Sequence, residues 1–277
     1  MKKRTCSFVA LVILLMMTYA LCSCSSSSGS SSTSSAASST SKSLVIGFDA
    51  EYPPYGFIAD DGSYTGFDID LAAAAAEANG WSFEAKPIDW DKRDAELDSG
   101  AINCIWNGFT MEGREGLYAF SEPYMINEQV IVVKALSDIK SLDDLAGKKV
   151  VTQASSAALE ILQGTRSDIS VTLDGSAPRT VDSFSDAFLQ LDSGAADAVA
   201  CDLSFASYQI SQTGDKYTML NEPLSTEHYA VGFKLGDEQT AKVVTNTLKV
   251  LYEEGFVEEL CNKYEGYGIS FSNWVLK

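Results

Sequence analysis

The sequence predicts an α/β protein of two lobes, joined by two crossover strands and enclosing a cleft. Two observations carry that expectation. Short apolar runs alternate with helical patterns from Ser43 onward, the rhythm of a sheet covered by helices. The alternation restarts near Leu142 and ends in an extended segment near Tyr229, as if the chain left one lobe, built a second and returned. With 277 residues, 45% of them hydrophobic, there is material for one large domain or two small ones.

In chain order, the first unit reads as a strand over 44–48, a helix over 68–79, a strand over 82–88, a helix over 91–99 and a strand over 102–106. The first helix is well marked: Asp68 and Asp70 sit in its first turn, five alanines follow, and Gly80 stands at its stop. The second unit opens at residues 142–147 and continues through a strand over 149–152, a helix over 157–163, a strand and helix over 181–191, and a strand over 198–201. Extended segments over 130–135 and 229–233 are expected to cross between the lobes.

Charge narrows the functional classes. Acidic residues outnumber basic ones by 38 to 20, a formal charge of -18, so most of the surface repels phosphate backbones and no nucleic-acid partner is expected. A single histidine, His228, leaves no room for multi-imidazole zinc sites, and a structural role is expected for it.

The basic start Met1-Lys2-Lys3-Arg4 and the apolar run from Phe8 to Leu21 read as an export signal over residues 1–23, too short for a transmembrane span. Leu21-Cys22-Ser23-Cys24 resembles a lipobox, with Cys24 as the acylated residue; ordinary signal cleavage is the plainer alternative. Removal of residues 1–23 leaves 17 basic against 38 acidic residues, -21. Residues 24–43 form a tether. Thirteen of the nineteen residues from Ser25 to Ser43 are serine, a flexible coil with a reach of roughly 25 Å. Cys104, Cys201 and Cys261 remain in the folded part, where at most one disulfide forms; Cys104 and Cys201 lie in apolar runs and read as core.

Several residues are placed to hold a small charged ligand. Arg114 follows Asn107-Gly108-Phe109-Thr110 just beyond a buried strand and offers a planar fork to a carboxylate, unless it is a solvated surface arginine. Ser155 and Ser156 precede a helix, where they favour an anion or simply cap. Asp202 closes a strand at its carboxyl end, where open α/β sheets place ligand groups, or caps the next helix. Tyr52 and Trp90 lie in loops after strands and are able to sandwich a side chain, with Asp49 and Glu51 beside Tyr52.

The motifs Phe48-Asp49-Ala50-Glu51-Tyr52-Pro53-Pro54-Tyr55, Gly66-Phe67-Asp68-Ile69-Asp70-Leu71, Trp106-Asn107-Gly108-Phe109-Thr110 with Arg114, Phe120-Ser121-Glu122-Pro123-Tyr124, and Glu227-His228-Tyr229-Ala230-Val231-Gly232-Phe233-Lys234 occur in that order. Together they resemble the solute-binding proteins of bacterial amino-acid ABC importers, family 3, over about residues 44–277. The resemblance implies a type II periplasmic-binding fold of Venus-flytrap architecture, with lobe one over 44–134 plus 228–277 and lobe two over 135–227. It implies that Arg114 clasps a ligand α-carboxylate, helped by backbone groups at Thr110, Ser155 and Ser156. The α-ammonium goes to the Gly108 carbonyl, the Thr110 hydroxyl and Asp202. Tyr52 and Trp90 wall the side-chain pocket, with Asp49, Asn107 and Gln153 at its rim.

The implied partners are a free polar or cationic amino acid, the transmembrane subunits of an ABC permease, and a membrane reached through the lipid. A monomer without cofactor, metal or covalent chemistry is expected. Two departures from the family pattern stand out: the stretch from Thr110 to Arg114 is one residue short, and Ala154 stands where glycine is common. The alternatives are a cyclohexadienyl dehydratase-like enzyme on the same fold, with Glu51 as its acid, and a sensing module served by a separate chain.

Overall fold

A computed structural model describes residues 42–277. The expected export signal, Cys24 and the serine-rich stretch as far as residue 41 lie outside the described residues. Lys42 and Ser43, assigned to the tether by sequence, belong to the fold. Ser43 pairs with Ser82 in the first sheet, and the Lys42 ammonium lies 4.6 Å from the centre of the Trp81 ring and 2.8 Å from the Thr240 hydroxyl.

The chain runs through β1 (Ser43–Phe48), a small three-stranded sheet of β2 (Glu51–Tyr52), β3 (Gly56–Ile58) and β4 (Tyr64–Thr65), then α1 (Phe67–Ala78) and β5 (Ser82–Pro87). It continues with α2 (Arg93–Ser99), β6 (Cys104–Ile105), β7 (Tyr118–Phe120), β8 (Met125–Lys134), β9 (Val150–Gln153), α3 (Ala157–Gln163) and α4 (Ser167–Ser170). The last part holds β10 (Arg179–Val181), α5 (Phe184–Ser193), β11 (Ala198–Asp202), α6 (Leu203–Thr213), β12 (Tyr217–Met219), β13 (Ser225–Tyr229), β14 (Gly232–Lys234), α7 (Glu238–Glu253) and α8 (Phe256–Tyr264).

Two sheets organise these elements. The first has the order β5-β1-β6-β14-β7, with β5, β1 and β6 parallel and β14 antiparallel to both its neighbours. The second has the order β10-β9-β11-β8-β12, with β10, β9 and β11 parallel and β8 antiparallel to β11, β12 and β13. The five residues of β11 are all buried and apolar except the last, as a strand covered on both faces requires. The helices over 157–163 and 67–78 match the sequence expectation closely.

The expected crossover at 130–135 is corrected. Val130 to Val133 are buried in the middle of β8, where they pair with β11 on one side, and Val132 and Val133 with β12 on the other. A run that apolar fills a sheet interior instead of bridging two lobes. The chain leaves the first sheet between Phe120 and Met125 and returns between Tyr229 and Gly232. These two passages lie side by side: the Tyr124 amide donates to the Tyr229 carbonyl at 2.9 Å, and the Ser121 amide to the Val231 carbonyl at 3.0 Å.

Two C-terminal helices complete the first lobe. In α7, Ala241, Val244, Leu248 and Leu251 form a stripe of helical spacing, and in α8 Val257, Leu260, Cys261 and Tyr264 do the same; all eight are buried in the core that includes β1 and α1.

Cys104, Cys201 and Cys261 are free and buried. Burial pushes all three thiols upward, Cys261 to about 12. The thiolate is the reactive form, so the folded protein is expected to resist a disulfide reagent such as DTNB at pH 8, with the three thiols reacting only on unfolding in guanidinium. Rapid labelling of any one of them in native buffer would contradict the burial described.

Candidate functional site

The carboxyl ends of the parallel strands bring the site together, as the fold class demands. Asp49 follows β1, Trp90 follows β5, and the loop after β6 carries Asn107, Gly108, Thr110 and Arg114. From the second sheet come Gln153 at the end of β9, Ser156 at the start of α3 and Asp202 at the end of β11. All of these, with Tyr52, Ala157 and Phe184, line one cavity of about 20 Å³. That is room for about one water, and Thr110, Arg114 and Ala157 also line an adjoining groove of about 630 Å³.

Arg114 is 3% exposed and is not a solvated surface arginine. One guanidinium nitrogen donates to the Thr110 carbonyl at 3.2 Å, another to Glu160 Oε1 of α3 at 3.0 Å, and the plane lies 4.7 Å from the centre of the Phe109 ring. Its Nε is buried without a partner. The short spacing from Thr110 is absorbed by a tight turn through Gly113, with the Arg114 amide bonded back to the Met111 carbonyl at 3.0 Å.

Asp202 stands at the start of α6 but makes no cap bond there. Its Oδ1 accepts instead from Gln129 at 2.6 Å, Asn127 at 2.9 Å and the Tyr229 hydroxyl at 2.8 Å. Burial raises its pKa, and the Tyr229, Tyr52 and Gln129 donors offset part of the rise. The other carboxylate of the cavity, Asp49, is also raised by burial; it accepts from the Glu51 amide and from Gln153, both at 2.8 Å. The Asp49–Gln153 and Arg114–Glu160 contacts tie the two lobes together.

Gly108 has φ +53°, and an added Cβ would stand 3.0 Å from the Tyr52 ring and 3.1 Å from the Tyr229 ring. Glycine is therefore the residue that fits. Its amide donates to Asp68 Oδ2 at 2.5 Å, and Asp68 also accepts from the Tyr124 hydroxyl at 2.8 Å. Sequence reading placed Asp68 at a helix dipole; the structure buries it completely as the clamp of the Gly108 turn. Burial pushes its pKa up to about 7, against the opposing pull of the Gly108 amide and Tyr124.

Ser156 both lines the cavity and caps α3, its hydroxyl accepting from the Leu159 amide at 3.2 Å. Ser155 is the one expected site residue that does not line the cavity. It adopts φ +55° and turns its hydroxyl to Asp91 of the opposite lobe. Tyr52 is buried and stacks on Tyr55 and Phe205 at 5.9 and 5.8 Å, and Trp90 packs edge-on against Phe109 at 5.8 Å. His228 is held by Glu112, which accepts from its backbone amide at 2.8 Å and contacts Nδ1 at 2.7 Å, and it does not line the cavity. Glu51, the acid of the enzyme alternative, is exposed and outside the cavity.

Phe184 and Glu227 were not singled out by sequence as site residues. Phe184 begins α5 just past a strand end, the same kind of position that pointed to Tyr52 and Trp90. Glu227 lay inside a quoted motif, and only the inward side of β13 reveals it: it is 1% exposed and its Oε1 accepts from Thr110 at 2.9 Å.

Two lobes closing on a small cavity lined by a buried arginine and a buried aspartate define a solute-binding protein. The model of the bacterial extracellular solute-binding proteins, family 3, matches residues 44–267, and the chain belongs to that family. It is 30% identical over 231 residues to the L-cystine-binding protein TcyJ of Escherichia coli, covering 82% of this chain and 84% of the relative. It is 28% identical to a probable histidine-binding protein of Neisseria gonorrhoeae, covering 79% and 81%. A Streptococcus pneumoniae ABC uptake transporter substrate-binding protein with bound histidine superposes with a TM-score of 0.79 at 34% identity, covering 83% of this chain and 94% of that one. The two-lobed periplasmic-binding fold is thus shared with solved structures, and the relatives are named as binding proteins, not as enzymes.

Asp68→Ala is expected to destabilise the protein by about 2–4 kcal/mol, because it strands a buried amide and a buried hydroxyl. Urea unfolding at pH 7 measures it; a change under about 0.5 kcal/mol would deny Asp68 the clamping role.

Proposed function

We propose that this chain is the extracytoplasmic receptor of an amino-acid ABC importer, taking up a free polar or cationic amino acid between its lobes and presenting the closed form to the permease. In this reading residues 1–23 direct export, Cys24 carries the lipid, and the serine-rich segment is the leash of a monomeric ectodomain. The observation that carries it is the pairing of opposite charges across the cleft: Arg114 from the first lobe and Asp202 from the second line the same cavity. That arrangement suits a zwitterion, with Arg114 taking the α-carboxylate and Asp202, the Gly108 carbonyl and the Thr110 hydroxyl taking the α-ammonium. Asp49, Asn107 and Gln153, with Tyr52, Trp90 and Phe184, would then face the ligand side chain.

In this reading the ligand enters between the lobes and the lobes close over it. A ligand favours closure only through contacts to both lobes at once. The charge of Asp49 and the relatives named for cystine, histidine and arginine support a polar or cationic side chain.

A thermal-shift panel of the twenty amino acids with ornithine and cystine tests the reading. At 100 times its Kd a true ligand adds about 2.7 kcal/mol of stability, a clear rise in Tm. A panel with no shift would refute the proposal. For the ligand so found, Arg114→Ala is expected to cost about 2–5 kcal/mol of binding by titration calorimetry. Unchanged affinity would remove Arg114 from the site.

A further inference from the structure

A further buried carboxylate, Glu227, lies beside the site in the adjoining groove. Glu227 on β13 lies beside Asp202, and the same two amides serve both: Asn127 Nδ2 bonds Asp202 Oδ1 at 2.9 Å and Glu227 Oε1 at 2.8 Å, and Gln129 Nε2 bonds them at 2.6 and 2.8 Å. Glu227 Oε1 also accepts from the Thr110 hydroxyl at 2.9 Å, while its Oε2 is buried without a partner. A hydroxyl has one proton. With that proton committed to Glu227, the lone pairs of Thr110 are free to accept from a ligand.

We propose that Glu227 is a positioning residue of the amino-acid site, which turns the Thr110 hydroxyl into an acceptor for the ligand ammonium and surrenders a proton to solvent as that ammonium enters. The proposal rests on the amino-acid reading above and adds a proton linkage to it. Two carboxylates held by shared donors repel each other when both are ionised, so burial and Asp202 together raise Glu227 to about 7. An arriving cation reverses that balance and favours the doubly ionised pair. Sign follows directly: the protonated form predominates below about pH 7 and binds more weakly, so affinity falls as pH falls and levels off above.

Other charged groups surround Glu227, and Asp68 under the Gly108 turn and Asp49 in the cavity are also raised by burial. Arg114, Arg93, Asp94, Glu112 and Glu160 line the groove of about 630 Å³ that Glu227 shares with Thr110. Arg114 and Glu160 are paired with each other, and Glu112 is engaged by His228. Tyr229 and Tyr52 stand on the Asp202 side, with phenols raised far above neutrality by burial. The groove is also the path by which a released proton reaches water.

The test is titration calorimetry of the amino acid that gives the largest thermal shift, at pH 5.5, 6.5 and 7.5, in buffers of different ionisation enthalpy. For the wild type, Kd is expected to rise about tenfold from pH 7.5 to 5.5, with a substantial fraction of a proton released per ligand at pH 6.5. Glu227→Gln, which keeps an acceptor for Thr110, is expected to bind at pH 7.5 yet to release less proton and to depend less on pH than the wild type, the remainder belonging to the buried Asp68, Asp49 and Asp202. The difference between the two proteins is the readout, so a ligand whose own side chain titrates cancels. Wild-type binding without proton release overturns the inference alone, as does a folded Glu227→Gln protein that releases the same proton. No binding to any amino acid of the panel overturns it together with the reading on which it rests.

Discussion

A carboxylate removed from water must find donors or a cation, and two of them, Asp202 and Glu227, meet behind the cleft of this protein. The donors come from β8, which places Asn127 and Gln129 between them, and from Tyr229 and Thr110. Those partners hold the negative charge in place, and nothing among them carries a positive one. The guanidinium of Arg114 sits across the same cavity, held by a lobe-two glutamate and stacked on Phe109. Positive on one wall and negative on the other is the constraint around which the loops are arranged.

The fold supplies that arrangement by topology. Parallel strands deliver their following loops to one edge, and the two sheets turn those edges toward each other. Both passages between the sheets are short and are bonded to one another. Asp68 matters here as well. It fixes the Gly108 turn from within the first lobe, so the acceptor and donor groups of that turn are held in one orientation.

Much of this was legible in the sequence, for identifiable reasons. Strand ends followed by Asp, Arg, Tyr or Trp marked Asp202, Arg114, Tyr52 and Trp90, and all four line the cavity. The alanine-rich helix was legible from its acids and its terminal glycine. What was hidden depended on side-chain direction. Ser155 and Ser156 are adjacent and alike in type, yet the left-handed backbone at Ser155 sends it away from the cavity that Ser156 lines. Glu227 reads as one acid among 38 until β13 is seen to face inward. The 130–135 run misled because an apolar strand within a sheet and one between lobes have the same composition. The stripes of α7 and α8 have helical spacing but fall after the last recognisable motif.

Lys42 and Ser43 give the molecule a polarity. β1 begins there and runs toward Asp49, so six residues of strand, roughly 20 Å, separate the point where the preceding segment enters from the floor of the cleft. The pin formed by Trp81 and Thr240 holds that entry point against the first lobe's helices. The first described residues are therefore fixed at the opposite end of β1 from the residues that line the cavity.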